Sequence, residues 1–438
     1  MSSDIPSEII CLIAEALDSQ QDRFHLAVSC RRLYRLLLPA LYSHVGLCGI
    51  RAISSFLYTI VGNEELATAV RFLGLHGWAV PGDDWASAEE FEYDAKLMHK
   101  LALEVGCFGV ERDEWIRNLE LGVDDAWLAL LIPRLTGLRR MYIMWPYGTS
   151  YFADMFAKVA FEDVPVFPHL EESYAAWYDT EGGADTSLML PFFKFPAMRK
   201  IGGYTLRDDP NDKPAMTRLS TVTEIDLLNS NSFCGLRNWI GSCQPLRRFR
   251  ITYDDPLVSP GEPFSFGELD IRAIQQSLQL HKTMLESVWI CLNNDENLYE
   301  GEVGSFAEFT TLKTLHISVS PLGLMVSDYE SLVSRQLKYR LPPSLENLFL
   351  CDCSPLYISQ TCKQLEDLIN LGVVPNLMRL GLQSKRIHHA PRRQQDLEQL
   401  KHRCKEAGIV FNVYSKDCAI IGGEAGFDWP FPEFTIGW

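Results

Sequence analysis

Residues 4–45 carry a dense apolar pattern. After Pro6, residues Ile9, Leu12, Ile13, Ala16 and Leu17 recur at i, i+3, i+4, i+7 and i+8, the spacing of one apolar helix face. Pro6 suits the first turn, where its missing N–H costs nothing. A polar break over residues 18–21 follows, and Asp22 is the expected N-cap of a second helix carrying Phe24, Leu26, Ala27, Val28 and Cys30. Leu33, Tyr34, Leu36, Leu37 and Leu38 supply a third, with Pro39 as its stop. Three short helices cannot enclose a sufficient core of their own. They need a partner, either another protein or the rest of the chain.

Beyond residue 65 one short pattern keeps returning: an apolar residue, two variable ones, an apolar, one variable, an apolar. Leu138-Arg139-Arg140-Met141-Tyr142-Ile143 is a clear copy, and others begin at Val70, Ile116, Val222, Leu246, Leu285, Leu312, Leu345 and Leu377. Met198-Arg199-Lys200-Ile201 is a weaker copy, and Val410-Phe411-Asn412-Val413 is the expected last strand. The pattern resembles the strand signature of leucine-rich repeats. It predicts an α/β fold in which three N-terminal helices precede an irregular solenoid of short parallel strands and helices, with helical stretches at 271–278 and 364–369. Charged residues at the paired variable sites, such as Arg247-Arg248 and Lys313, suit turns and solvent faces. Spacings of 22 residues from Leu121 to Ile143 and 27 from Ile290 to Ile317 fit a period of about 20–29 residues. The 46 residues from Leu75 to Leu121 make the array irregular.

The order of residues at the N-terminus adds a second resemblance. Ile5-Pro6-Ser7-Glu8-Ile9-Ile10, then Ile13 and Leu17, then Leu26-Ala27-Val28-Ser29-Cys30-Arg31-Arg32-Leu33-Tyr34, closely resembles the F-box motif of fungal proteins, as does Leu36-Leu37-Leu38-Pro39-Ala40-Leu41-Tyr42 after it. Ile5 replaces the usual Leu, and Leu33 stands where many members have Trp; both remain apolar. The resemblance implies docking to the Skp adaptor and, through it, to a cullin of a ubiquitin ligase. The contact positions would be Ile5, Pro6, Ile9, Ile13, Leu17, Leu26, Val28, Cys30, Leu33 and Tyr34, some of which must instead hold the three helices together. The implied role is that of a non-catalytic substrate receptor whose repeat domain holds a protein target; the alternative is a scaffold acting outside ubiquitin transfer. The expected domains are an F-box at 1–45, a linker helix at 46–65, a repeat domain at 66–415 and an aromatic tail at 416–438. An insertion at about 144–197 carries Tyr147, Phe152, Phe156, Phe161, Phe167, Tyr174 and Trp177, and serves either as a recognition loop or as a cover for the array. Trp429, Phe431 and Phe434 in the tail are expected to cap the last repeat.

Composition narrows the function classes. The 438 residues include 40 Lys+Arg and 57 Asp+Glu, a net charge of −17, which repels phosphate backbones and disfavours nucleic acid as a partner. A secretory signal and an apolar membrane run are not evident, and the 12 cysteines show no dense disulfide framework, so a cytoplasmic or nuclear location is expected. No phosphate loop, nucleophile elbow, dinucleotide fingerprint or H-E-x-x-H occurs, so neither an enzyme nor a cofactor is expected. Cys351, Cys353 and Cys362 form the densest cysteine group, but their spacing is not that of a standard zinc site and no histidine is near in sequence, so packing is the expected role. His388, His389, His402 and Cys404 lie among Lys and Arg residues that disfavour a cation. The acidic balance favours a target with a basic surface, whose association slows with added salt. Fluorescence anisotropy should accordingly show no tight binding of duplex DNA at physiological salt.

Overall fold

The structure, a computed structural model, describes residues 5–17, 19–80, 91–106, 112–146, 148, 151–160, 165–177, 183–207, 220–230, 234–253, 269–292, 299–300, 303–319, 336–354, 356–384 and 391–414. The chain forms two compact units, Met1–Ile201 and Gly202–Trp438.

The first unit opens with α1 (Ser7–Glu15), α2 (Gln20–Val28) and α3 (Arg31–Leu41). The expected cap at Asp22 is displaced: Ser19 is the N-cap of α2, its Oγ accepting from the N–H groups of Gln21 (3.1 Å) and Asp22 (3.4 Å). Pro39 does not stop α3, which runs to Leu41. Proline in the last turn forfeits one bond and leaves the turn otherwise intact. Strand β1 (His44–Leu47) follows, then α4 (Gly49–Val61), α5 (Glu64–Ala69), β2 (Phe72–Leu75), α6 (Ala95–Val105), α7 (Arg112–Glu120), α8 (Asp124–Leu131), β3 (Arg140–Trp145), α9 (Tyr151–Val159), β4 (Glu172–Trp177) and β5 (Lys200–Tyr204). Strands β1 to β4 pair in parallel in chain order, and β5 starts at the last two residues of the unit.

Three sequence expectations change here. Residues 116–121, read as a strand, lie almost wholly in α7, with Trp115, Ile116 and Leu119 buried and Leu121 exposed. Helical spacing and two acids in its first turn win over the strand pattern. Strand β1 precedes the first expected copy. Strand β4 lies inside the expected insertion, where Ser173 and Ala175 replace the large anchors. The aromatics of that stretch settle between the two readings: Tyr151, Phe152, Phe156, Phe167 and Tyr174 are buried. Phe156 sits 4.5 Å from Phe192 and 4.9 Å from Phe152 between ring centroids, so these rings build core rather than a recognition loop. Tyr147, Phe161 and the aromatic tail lie outside the described residues.

Helix α8 is the hub of this unit. All eight of its residues are buried, including Asp124 and Asp125. A helix buried on every side must satisfy its polar groups internally. Asp124 Oδ2 accepts from the Ala79 N–H at 2.8 Å. Asp125 accepts from the N–H groups of Tyr151 (3.0 Å) and Phe152 (2.9 Å), fixing the start of α9.

The second unit holds β6 (Glu224–Leu228), α10 (Cys234–Ser242), β7 (Arg248–Tyr253), α11 (Ile271–Leu278), β8 (Ser287–Leu292), β9 (Thr314–Ser318), β10 (Asn347–Cys351), α12 (Ile358–Asn370), β11 (Arg379–Gln383), α13 (Pro391–Glu406) and β12 (Val410–Tyr414). These seven strands pair in parallel in chain order, and the helices expected at 271–278 and 364–369 are present. Register is set where each strand starts. Thr223 O accepts from the N–H groups of both Arg247 (2.8 Å) and Arg248 (3.0 Å), and Arg247 O repeats this with Glu286 and Ser287. Glu286, Lys313 and Glu346 continue the series. The expected anchors then align: Ile225, Phe249, Val288, Leu315, Leu348 and Leu380 form one buried row.

The charged residues at paired variable sites reach water as expected, although Ser287 at one such site is buried; Arg247–Glu286 (3.5 Å) and Lys313–Glu346 (3.4 Å) are surface ion pairs that contribute only tenths of a kcal/mol. The single variable position between the last two anchors is different. Asp226, Arg250, Trp289, His316 and Phe349 share one row across the strands, and all are buried. Arg250 pairs with Asp226 at 2.9 Å and lies 5.5 Å from the Trp289 ring centroid. Trp289 stacks on His316 at 3.7 Å, and His316 on Phe349 at 5.6 Å. Gly381 ends this run because a Cβ there would lie 2.4 Å from the Phe349 ring.

Replacing Asp125 by Ala removes a cap and orphans two buried N–H groups. Caps are worth about 0.5–2 kcal/mol and a buried orphan donor costs about 1–3 kcal/mol. Denaturant unfolding of D125A should show a loss of about 2–4 kcal/mol.

Candidate functional site

The first three helices close a small core of Ile10, Ala14, Ala27 and Leu37, with Cys11, Leu26, Leu33, Leu36 and Leu41 packed against it. Polar ties lock the arrangement. Arg23 donates to the carbonyls of Ala14 (3.1 Å) and Leu17 (2.8 Å), satisfying the end of α1, and Gln20 Nε2 donates to Leu41 O at 2.6 Å. Arg32 Nη2 donates to Ile5 O at 3.1 Å and holds the leading segment. Cys30 is the N-cap of α3, its Sγ accepting from the Leu33 N–H at 3.5 Å.

What this core leaves outside is a set of large apolar side chains. Ile9 is 46% exposed, Leu12 59%, Phe24 51% and Val28 50%, and Ile5, Ile13 and Tyr34 are close to half exposed. Phe24 and Tyr34 line an open groove of about 490 Å³ with Leu38, Leu41, Tyr42 and Phe56. The ring of Tyr42 stacks on Phe56 of α4 at 6.1 Å. Exposed apolar side chains in this number mark a surface that another body covers.

The structure divides the sequence-derived contact residues. Ile5, Pro6, Ile9, Ile13, Val28, Cys30 and Tyr34 are exposed, and Leu17 is half-buried. Leu26 and Leu33 belong to the internal packing. Leu12 and Phe24 join the exposed set. Leu12 was legible as part of the i, i+3, i+4 face; nothing in the sequence distinguished Phe24 from its buried neighbour Ala27. Helix α1 is apolar on nearly every side, so periodicity could not say whether Ile9 or Ile10 points inward.

The remaining sequence candidates separate. Cys353 and Cys362 are buried near Thr361, and burial pushes their thiols to about 11 and about 12, so both stay protonated packing groups at neutral pH. His402 is exposed beside Glu406 at 3.6 Å, whereas Cys404 on the same helix is buried; His388 and His389 lie outside the described residues. Cys351 leaves the expected group: its Sγ lies 3.4 Å from that of Cys291, on a strand 60 residues earlier.

A family model described as a leucine-rich repeat domain matches residues 56–370. The chain belongs to the leucine-rich repeat family. The match covers the parallel strands from β2 to β10 together with their helices, and residues 1–55 lie outside it. No curated protein matches the chain. Membership of this family makes protein–protein interaction the function of the repeat domain, with a protein as its partner.

The division between core and surface in α1 is testable by thermal unfolding followed by circular dichroism. Ile10→Ala should destabilise the helices by about 2–5 kcal/mol, as buried large-to-small changes do. Ile9→Gln with Leu12→Gln, on the exposed side, should change stability by less than about 0.5 kcal/mol per substitution.

Proposed function

We propose that the protein is the substrate-binding subunit of a Skp–cullin–F-box ubiquitin ligase. The exposed apolar face of α1 to α3 docks the Skp adaptor, and the leucine-rich repeats hold a protein target. The observation that carries this reading is the combination of a closed internal core with exposed Ile5, Ile9, Leu12, Ile13, Phe24, Val28 and Tyr34 on a segment whose order of residues resembles an F-box. The mechanism is proximity. A chain that binds adaptor and target together raises the effective concentration of target lysines at the conjugating enzyme, and binding rather than bond chemistry is what it supplies. The proposal puts the protein in the cytoplasm, the nucleus or both. The target is expected to present basic groups, in keeping with the net charge of −17.

The Ile9→Gln, Leu12→Gln variant tests the docking face. Truncating apolar anchors at the centre of an interface costs about 2 kcal/mol or more, so adaptor affinity should fall at least about thirtyfold while the melting temperature holds. Unchanged adaptor binding would reject this face as the docking surface. Cullin co-purifying with the adaptor separates the ligase from a scaffold that engages the adaptor alone.

A further inference from the structure

Three soft or borderline metal ligands meet on the strand ladder of the second unit. Cys291 on β8, His316 on β9 and Cys351 on β10 offer ligand atoms that all lie within 4.8 Å of one another, and all three residues are buried. We propose that these three form a structural zinc site, and that the neighbouring Asp352 carboxylate, outside the cluster but 3.8 Å from Cys291 Sγ, closes on the bound ion as its fourth ligand. It is independent of the docking function above.

The register builds the site. Cys351 pairs with Ser318, two residues beyond His316 on the same face of β9. Cys291 follows Ile290, which pairs with Ile317. The thiols therefore reach over the small side chain of Ser318 from the strands on either side, while His316 stands one pleat back. Stacking between Trp289 at 3.7 Å and Phe349 at 5.6 Å holds the imidazole plane. Asp352 lies just past the end of β10 with φ +53°, a left-handed conformation that an aspartate adopts at a cost. Its Oδ2 is 3.8 Å from Cys291 Sγ and accepts from Ser318 Oγ at 2.6 Å, and its N–H donates to Gln383 Oε1 at 2.6 Å. Ser318 thus orients the carboxylate and Gln383 holds the Asp352 backbone, both from outside the ligand set, as groups around metal sites do.

Chemistry selects the ion. Zinc binds thiolate at about 2.3 Å and imidazole at about 2.0–2.1 Å in a tetrahedron, which places neighbouring ligand atoms about 3.4–3.8 Å apart. The two sulfurs are already 3.4 Å apart. Two sulfurs, one nitrogen and one carboxylate oxygen suit zinc over magnesium or calcium, which take oxygen. No disulfide joins the two cysteines: both are free thiols, and their sulfurs stand 3.4 Å apart against the roughly 2.05 Å of an S–S bond. Binding releases one proton from each thiol; two thiolates neutralise the ion, and the Asp352 carboxylate leaves the site with one negative charge that the Ser318 hydroxyl hydrogen-bonds. Four protein ligands close the coordination sphere, so the ion clamps β8, β9 and β10 and has no position for a reacting water.

The test uses the full-length, reduced chain, freed of metal by chelation and titrated with Co²⁺ and then Zn²⁺. The expected result is one cobalt per chain, with tetrahedral d–d bands and thiolate charge-transfer absorption, displaced by one zinc, and a higher melting temperature with zinc. Cys291→Ser and Cys351→Ser should each halve the charge-transfer intensity and weaken zinc binding by more than about a hundredfold. X-ray absorption of the zinc-loaded wild-type protein, which needs no folded variant, should show two sulfur neighbours. A folded, reduced chain that takes up neither ion overturns the proposal and leaves the thiols as hydrogen-bonded packing groups. So does a first shell of only nitrogen and oxygen, or full charge transfer retained in Cys291→Ser with Cys351→Ser.

Discussion

A parallel strand cannot choose its register by a tight turn, because its neighbour lies a whole connection away. In this protein the choice is made at the start of each strand, where one carbonyl takes the N–H groups of two consecutive residues on the next strand, as at Arg71, Arg139, Arg247 and Lys313. The apolar anchors that follow then fall into rows that are buried as far as β11, whereas Val410 and Val413 of the last strand are exposed. Since register depends on this local contact and not on loop length, connections are free to vary. Register partners Phe72 and Arg140 are 68 residues apart, whereas Ser287 and Thr314 are 27 apart. Among the described residues the longer connection holds three α-helices, one of them buried on every side.

The same geometry explains why the ladder carries polar groups inside. From β6 to β11 the position between the final two anchors is buried as well as the anchors, so polar residues there have to satisfy one another across strands. Asp226 and Arg250 do so as an ion pair, Arg250 lies over Trp289, and the ring stack passes on to His316 and Phe349. Removing one member of such a pair leaves a buried charge uncompensated. The row next to it brings Cys291 and Cys351 together over Ser318. Neither arrangement is local in sequence.

The N-terminal helices work under the opposite constraint. They have few residues with which to bury anything, and spend Ile10, Ala14, Ala27 and Leu37 on holding themselves together. Ile9, Leu12, Phe24 and Val28 are left at the surface. Exposed apolar area of this kind is tolerated when another body covers it, and this balance underlies the docking role proposed for the segment.

The repeating anchors made the α/β class and most strands of the ladder legible from sequence, because burial of alternate residues imposes a pattern on each strand by itself. The three N-terminal helices were legible for the same reason. Tertiary structure decided the rest. It turned 116–121 into helix α7, because Trp115, Ile116 and Leu119 bury at helical spacing. It made a strand of 172–177 although Ser173 and Ala175 lack the bulk of the usual anchors. It chose Ile10 over Ile9 for the inside of α1, where both are isoleucine and only the neighbours differ. It also set His316 beside Cys291 and Cys351, residues that lie 25 and 35 positions from it along the chain. Pattern reports what one segment must bury; only the register between segments reports what meets what.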